Sequence, residues 1–362
     1  MKKLIAGIVT LMIVIIAASS AFAAAADIQF SGYTWFRYTS LAQRFSDKNY
    51  DTSKMSVEKL YLTWTMKYSD SLNGNITLDL PMKSGNTANS DWTTIVKFAY
   101  VDVRQAVPNF GVVRVGVQPM NFCMIDKWSY PLIEKSVEDV NGLISSADLG
   151  VSVLGPLPGF LRLPDGWADY SFLATNGNGF AKPTGTDSNI ATCARFNAKV
   201  APGLSLSISQ YTSQMSSGDA YARAGINAQK SFSGVAANYF VGPFWLMGEW
   251  ITGKLPNATT SNSTNISASS LLFQYTLNDK WNFIARTDLY NPNTDLPGGS
   301  ALNSTNAPQT RIMYGINYQW FQDLLLQVNY EELACKDGPD KTTDPNARAT
   351  SDCVLVQLKW SY

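Results

Sequence analysis

Residues 353–362 decide the fold, and they read Cys353-Val-Leu-Val-Gln-Leu-Lys-Trp-Ser-Tyr362. Successive side chains of a β-strand point to opposite sides, so alternate residues share a face. One face of this segment is apolar throughout and consists of Val354, Val356, Leu358, Trp360 and Tyr362. The other face carries Leu355, Gln357, Lys359 and Ser361. Because the apolar face ends in two aromatic residues, the segment predicts a strand between lipid and water, with its aromatic end at the headgroups.

The same alternation recurs along the chain. Apolar residues take every second position in residues 60–68, 76–80, 204–208, 312–318 and 324–330. We predict short connections at 70–73, 104–110, 156–166, 201–203, 241–243, 278–280 and 320–323. We predict long polar connections near 39–56, 83–91, 119–147, 177–190, 212–232, 254–266, 291–307 and 333–350. These fifteen connections imply sixteen strands, and the count changes by two if residues 221–241 hold two strands instead of one.

The pattern predicts an all-β fold, a 16-stranded antiparallel transmembrane β-barrel. An even strand number, with short turns at one end and long loops at the other, is typical of bacterial outer-membrane barrels. A barrel of this size encloses an aqueous channel instead of filling with side chains. We therefore expect the protein to lie in the lipid of a bacterial outer membrane.

The first residues have the order of a secretory signal peptide. Lys2 and Lys3 precede an apolar run, and the small residues that end at Ala23 resemble a cleavage site. We predict a signal peptide over residues 1–23 and a single barrel domain over residues 24–362. An uncleaved membrane helix is the alternative, since the uncharged run could span a bilayer.

The third long connection, residues 119–147, has an unusual composition for an external loop. It contains many large apolar residues: Phe122, Met124, Ile125, Trp128, Tyr130, Leu132 and Ile133. Something must cover them, so we expect the loop to fold into the barrel and narrow it; packing against a neighbouring subunit is the alternative. The segment Ser136-Val-Glu-Asp139 resembles a capping box and predicts a short helix.

Several segments resemble the phosphate-selective porin O and P family. They are Arg114-Val-Gly-Val-Gln-Pro119, Asp148-Leu-Gly-Val151, Tyr170-Ser-Phe-Leu-Ala-Thr-Asn-Gly-Asn-Gly179 and Gly248-Glu-Trp-Ile251. The resemblance covers most of the chain. It implies a homotrimeric porin with its third loop inside the channel, and a constriction whose lysines and arginines select for phosphate.

Alternation also assigns charged side chains to the channel wall. The predicted basic set is Arg37, Lys59, Lys67, Lys97, Arg114, Arg195, Lys199, Arg286, Arg311 and Lys359. The predicted acidic set is Asp79, Asp288 and Glu331, with the face of Glu249 undecided. The inward loop adds Lys127, Lys135, Asp126, Glu134, Glu138 and Asp139. Fixed wall charge attracts counter-ions, so we expect passive diffusion of small hydrophilic solutes with a mild preference for anions, unless the charges neutralise one another in pairs.

The four cysteines suggest disulfides in an oxidising compartment. Cys335 and Cys353 flank the eighth long connection, and we predict a disulfide between them. Cys123 and Cys193 are candidates for a second one, although four cysteines allow three connectivities. Their spacing lacks the C-x₂-C pairs of zinc sites, and no cofactor is expected.

Composition excludes several other functions. The chain has 362 residues and no histidine, so enzymes that use a histidine base and sites that use histidine as a metal ligand are excluded. Lysine plus arginine and aspartate plus glutamate each number 28, which disfavours a nucleic-acid partner. The alternatives that stay open are a porin specific for a sugar or phosphate, and a non-conducting structural or adhesive barrel.

Overall fold

The computed structural model describes residues 27–44, 49–80, 94–104, 106, 111–125, 135–157, 166–180, 190–214, 229–256, 263–295, 307–335 and 350–362. Everything below refers to these residues. The strands are β1 Asp27–Arg44, β2 Asn49–Lys67, β3 Leu72–Asp79, β4 Ile95–Arg104, β5 Val112–Pro119, β6 Ala147–Pro156, β7 Ala168–Thr175 and β8 Ala191–Ala201. They continue with β9 Leu204–Gln214, β10 Gln229–Val241, β11 Phe244–Pro256, β12 Ser263–Thr276, β13 Trp281–Asn291, β14 Gln309–Phe321, β15 Leu324–Cys335 and β16 Thr350–Ser361. A short helix, α1, spans Val137–Val140.

The strands form one closed antiparallel barrel. Each strand pairs with its neighbours in sequence, and β1 pairs with β16 from Tyr33↔Ser361 to Arg44↔Thr350. The predicted sixteen-stranded barrel is therefore confirmed, and the uncertain region holds a single strand, β10.

One predicted connection is wrong in extent. Residues 39–56 were expected to form a loop, but β1 and β2 remain paired as far as Arg44↔Asn49. The segment is rich in polar residues and has no continuous apolar face, which is typical of loops in a sequence. A hairpin that rises above the membrane needs no apolar face, because both of its sides meet water.

The outward face of the barrel is apolar. Large exposed side chains include Phe30, Phe172, Ile208, Trp250 and Leu271, with exposed fractions of 54% to 59%. Aromatic pairs cluster at the end with short turns, as in the contacts Trp281–Tyr318 at 4.4 Å and Trp360–Tyr362 at 5.3 Å between ring centroids. This apolar belt with an aromatic border belongs to a transmembrane barrel of the bacterial outer membrane.

Among the described residues, no helix is long and apolar enough to cross a membrane.

The inward face is divided into two parts. On β9 to β14 it carries buried apolar side chains, among them Phe232, Met247, Ile251, Leu272 and Met313. On β1 to β6 and β14 to β16 it is largely polar and charged. The main apolar core of the molecule therefore lies inside the barrel and against one side of it.

Polar side chains on the inward face form a hydrogen-bonded chain across the β1–β16 seam. Arg37 Nε donates to Gln357 Oε1 at 3.1 Å, and Gln357 Nε2 donates to Gln327 Oε1 at 3.1 Å. Gln327 Nε2 in turn donates to Asn317 Oδ1 at 3.2 Å. One chain of hydrogen bonds, from a guanidinium through three amides, thus joins β1, β16, β15 and β14.

Candidate functional site

The third long connection, named L3 here (residues 120–146), packs against the apolar part of the inner wall. Met120, Phe122, Leu143 and Ile144 are each at most 2% exposed and belong to the same buried cluster as the wall residues. The predicted inward fold is therefore observed in the described parts of L3. The barrel wall itself covers these apolar residues, so a neighbouring subunit is not needed to cover them.

Hydrogen bonds fix the first turn of L3 to the wall. The backbone N–H of Cys123 donates to Ser209 Oγ at 2.9 Å, and Arg195 Nη1 donates to the carbonyl of Cys123 at 3.2 Å. Cys123 has a φ of 42°, a left-handed conformation that is rare outside glycine. The opposing residue on β10 is Gly234, where an added Cβ would lie 2.3 Å from Cys123 Sγ. The turn fits only because that wall position is glycine.

The second half of L3 contains the predicted helix. Ser136 caps α1, with its hydroxyl accepting the N–H of Asp139 at 3.4 Å. Arg286 Nη2 on β13 donates to the carbonyl of Lys135 at 2.7 Å, which ties the start of the helix to the wall. The helix places the side chain of Glu138 inside the buried cluster.

The fourth long connection also contributes to the site, which the sequence did not reveal. The carboxylate of Asp148 accepts N–H bonds from Leu149 and Gly177, both at 2.8 Å. At Gly179 an added Cβ would lie 2.8 Å from Ser145 Oγ. The segment at 176–180 therefore rests on the end of L3 and brings Phe180 to the channel side of β4.

Three wall lysines lie over aromatic rings. Lys59 Nζ is 4.3 Å from the Trp35 ring centroid, and Lys359 Nζ is 4.8 Å from that of Tyr33. Lys97 Nζ is 3.7 Å from the Phe180 ring centroid, and it also donates to Ser146 Oγ of L3 at 2.5 Å. Ring faces attract cations, so these ammonium groups are held in fixed positions on the wall.

The wall lysines approach the charged end of L3. Lys59 and Lys97 both interact electrostatically with Lys135 and Asp139 of L3, and with Asp79 on β3. Lys135 and Asp139 are themselves 3.9 Å apart. The structure therefore brings together four of the predicted constriction residues, Lys59, Lys97, Lys135 and Asp139. Lys127 and Glu134 lie outside the described residues.

The predicted wall arginines differ from the wall lysines in their contacts, because four of the arginines form ion pairs with carboxylates. The pairs are Arg37–Glu58 at 3.2 Å, Arg114–Asp102 at 2.6 Å, Arg286–Asp288 at 2.7 Å and Arg311–Glu331 at 3.1 Å. Pairing between wall charges, the alternative raised by the sequence, holds for these four. Their positive charge contributes correspondingly little to the field in the channel.

Two of the carboxylates in these pairs were missed by the sequence reasoning. Glu58 is the extra residue of a bulge in β2, since Trp35 pairs with Lys59 and Phe36 pairs with Val57. A bulge shifts the alternation by one residue, so Glu58 reaches the inward Arg37. Asp102 lies directly opposite Arg114, but alternation from the inward Lys97 would have placed it outward. The pairing of β3 with β4 shifts register at Lys97, since Phe98 pairs with Thr77 and Val96 pairs with Leu78.

Both predicted disulfides are wrong. Cys353 pairs in register with Glu331, four residues before Cys335 on β15. At about 3.3 Å per residue the two Cα atoms are roughly 13 Å apart, beyond the reach of a disulfide. Cys123 and Cys193 are buried free thiols, and Cys193 Sγ donates to the carbonyl of Asn121 at 3.2 Å. Burial raises the pKa of the Cys123 thiol, which keeps it protonated.

Comparisons with known proteins establish the fold. No protein-family model and no curated protein matches the sequence. Among solved structures, the anion-selective porin from Comamonas acidovorans matches with a TM-score of 0.65 and 12% identity, over 93% of this chain and 100% of that chain. The outer membrane channel DcaP of Acinetobacter baumannii matches with a TM-score of 0.64 and 15% identity, over 94% and 98%.

A third structure bears on assembly. The OmpT of Vibrio cholerae, described in a trimer form, matches with a TM-score of 0.62 and 13% identity, over 93% of this chain and 100% of that chain. Two of the three are described as outer-membrane proteins, and two are described as a porin or a channel. This chain therefore has the fold of outer-membrane porins.

Proposed function

We propose that the protein is an outer-membrane porin, a water-filled channel through which small hydrophilic solutes diffuse passively with a mild preference for anions. One observation carries the proposal, namely that L3 packs inside the barrel and meets a lysine-bearing wall. A barrel of sixteen strands is wide enough for an aqueous channel, and a loop on its inner wall narrows that channel. The sequence has no histidine to act as a general base, which supports passage over catalysis.

The anion preference rests on an excess of lysines over carboxylates at the charged end of L3. Four arginines are paired, whereas Lys59, Lys97 and Lys135 share their surroundings with the two carboxylates of Asp79 and Asp139. Three positive charges against two negative ones leave a small positive excess near the narrowest part. An excess of this size attracts anions without excluding cations.

A phosphate-selective channel is a narrower form of the same proposal. The convergence of Lys59, Lys97 and Lys135 favours it, because ammonium groups bind phosphate as point charges. We further propose that residues 1–23 are a cleaved signal peptide, which is supported by Lys2 and Lys3 before an apolar run that leads to small residues ending at Ala23. A homotrimer is proposed as well, supported by the trimer form of the structurally similar OmpT.

Planar-bilayer recording of the purified protein tests these statements. We expect ohmic single channels and, in a KCl gradient, a zero-current potential of the sign that indicates anion preference. A closed bilayer would contradict the porin proposal and support a structural or adhesive barrel. A potential of zero would contradict the anion preference alone. Block of the chloride current by phosphate, and not by a neutral sugar, would favour the phosphate-selective form.

A further inference from the structure

Lys97 differs from the other wall lysines because two different loops hold its ammonium group. It is the extra residue of the bulge in β4, and its side chain is only 7% exposed. Its Nζ donates to Ser146 Oγ, the last residue of L3, at 2.5 Å. The same Nζ lies 3.7 Å from the ring centroid of Phe180, which belongs to the fourth long connection. Both loops therefore help to fix one positive charge of the constriction.

The two partners of Lys97 are joined through the backbone where L3 runs into β6. The carbonyl of Ser146 accepts the N–H of Met120 at 3.0 Å, so the two ends of L3 meet at this residue. The carbonyl of the next residue, Ala147, accepts the N–H of Phe180 at 3.0 Å. One partner of the ammonium group thus lies in this short segment, and the other is hydrogen-bonded to it.

Asp148, the residue that follows, connects the same segment to the turn at 176–180. Its side chain is 1% exposed, and it uses one oxygen at each side of the junction. Oδ1 accepts the N–H of Leu149 at 2.8 Å, and Oδ2 accepts the N–H of Gly177 at 2.8 Å. The carbonyl of Leu149 also accepts the N–H of Asn176, at 3.0 Å. A carboxylate that accepts two N–H bonds away from water fixes the start of the turn relative to β6.

The turn itself has little freedom to move. Gly177 and Gly179 have φ values of 76° and 77°, in the left-handed region that favours glycine. An added Cβ at Gly177 would lie 2.7 Å from Ser213 Oγ on β9, and one at Gly179 would lie 2.8 Å from Ser145 Oγ of L3. The turn is therefore packed closely between the wall and the end of L3, and the position of Phe180 follows from it.

We propose that Asp148 is a positioning residue that sets Phe180 over Lys97, and that Phe180 determines where the Lys97 charge stands in the constriction. The inference deepens the proposed function and rests on it, because the charge is placed where solutes would pass. A lysine side chain is flexible, and a ring face on one side with a hydroxyl on the other restricts its ammonium group to one place. Asp148 touches no solute and acts only through the turn.

Competitive acetylation tests the contact without relying on the proposed function. In the barrel in detergent, mass spectrometry gives the acetylation rate of Lys97 relative to that of Lys59, whose own ring partner is Trp35. The ratio should rise about fivefold in Phe180→Leu, which removes the ring, and should stay at the wild-type value in Phe180→Tyr, which keeps it. An unchanged ratio in Phe180→Leu, or an equal rise in both variants, would overturn the proposal.

The same ratio tests the role of Asp148. Asp148→Asn replaces one accepting oxygen with a donor that would face a backbone N–H, so the ratio should rise as in Phe180→Leu. Asp169→Asn, the same change at an exposed position of β7, is the matched control and should leave it unchanged. An unchanged ratio in Asp148→Asn, or a similar rise in the control, would overturn the positioning role.

Each variant is compared only after circular dichroism and heat-modifiable mobility on gels have shown that it forms a barrel. If Asp148→Asn forms none, Gly179→Ala takes its place, since a Cβ there disturbs the turn beside Ser145 and leaves the carboxylate intact. Gly179→Ala should raise the ratio as well. An unchanged ratio would show that the turn does not position Phe180.

A third measurement depends on the channel being open. In planar bilayers, Phe180→Leu should raise the open-channel current noise severalfold, because a released ammonium group moves within the constriction. The double variant Lys97→Met/Phe180→Leu should return to the wild-type noise, since no charge is left to move there. Persistent noise in the double variant would mean that Phe180 does not act through Lys97. If the protein does not conduct, the porin proposal fails, and the acetylation ratios still decide whether Asp148 and Phe180 position Lys97.

Discussion

The inner wall of this barrel has two halves that differ in what covers them. The half on β9 to β14 is apolar and is covered by L3, with Phe122 and Phe232 completely buried. The half around β1 to β4 and β16 is basic and aromatic, with Lys59 over Trp35 and Lys359 over Tyr33. Both halves are built from the same alternating strands. An inward side chain is therefore not a channel-lining side chain unless the loop leaves it uncovered.

The two halves of the inner wall therefore have different structural roles. The apolar half stabilises a loop inside the barrel, where burial of aliphatic and aromatic surface supplies the free energy of docking. The basic half keeps its charges in place on aromatic rings and faces the part of the barrel interior that L3 leaves open. Mutations in the first half should change the position of L3, whereas mutations in the second should change ion preference alone.

The largest effect is expected from Phe122→Ala. Removing a buried phenylalanine ring lowers the free energy of packing by about 4 kcal/mol, and here the loss falls on the docking of L3. L3 should become accessible to protease while the strands stay protected, as measured by limited proteolysis and mass spectrometry. Phe172→Ala is the control, because that ring faces lipid with 59% exposure. Equal protection of L3 in both variants would show that the apolar half does not hold the loop.

A smaller loss is expected from Arg286→Met, at the edge of the apolar half. The substitution leaves Asp288 buried without its cation and removes the bond to the Lys135 carbonyl, so the free energy of unfolding should fall by about 3 kcal/mol. Guanidinium unfolding in detergent measures the loss. The double variant Arg286→Met/Asp288→Leu should recover most of it, and failure to recover would mean that the bond to L3, not the buried pair, is what matters.

In the basic half, Lys59→Glu should change selectivity and leave stability nearly unaltered. A unit charge about 8 Å from an ion in water interacts with it by about 0.5 kcal/mol, so reversing the charge changes the energy of each ion by about 1 kcal/mol. The change has opposite signs for chloride and potassium, so their permeability ratio should alter by about thirtyfold. The zero-current potential in a KCl gradient measures this ratio. Lys280→Glu, on an exposed turn between β12 and β13, is the control and should leave the potential unchanged. A similar shift in the control would mean that the local constriction charge does not set selectivity.

The smallest effect is expected from the double variant Arg311→Gln/Glu331→Gln. The two side chains form an ion pair at 3.1 Å, so their joint removal takes no net charge from the channel. The zero-current potential should match that of the wild-type protein. A shift as large as that of Lys59→Glu would mean that the paired arginines act on ions after all and that the contrast between the two halves is wrong.

The barrel could be predicted because alternation is a local property of the sequence. Val354, Val356 and Leu358 face outward as expected, and every connection joins the expected pair of strands. The inner apolar half could not be predicted in the same way. Ile251 and Met247 share the inward face with Glu249, and apolar residues on a membrane strand were assigned to lipid. Only the packed position of L3 shows that they have a second apolar neighbour.

Contacts that depend on strand register, or that join segments distant in sequence, could not be predicted either. The spacing between Cys335 and Cys353 along the chain carries no information about strand register, and the register is what separates them. The bulge at Glu58 reverses a face assignment that alternation would otherwise give. The bond from Arg286 to the carbonyl of Lys135 joins a strand to a loop more than a hundred residues away, and no local pattern signals it.

The hydrogen-bonded chain across the β1–β16 seam has a consequence for the order in which the barrel assembles. Arg37 and Gln357 are 320 residues apart, and β1 can pair with β16 only after the chain between them has been exported. Until then, β1 and the last strand added to the sheet each have an unpaired edge. Strands of other chains can pair with such an edge. The hydrogen bonds at Arg37, Gln357 and Gln327 form at this last step, so the barrel is closed by polar contacts on the inward face of its wall.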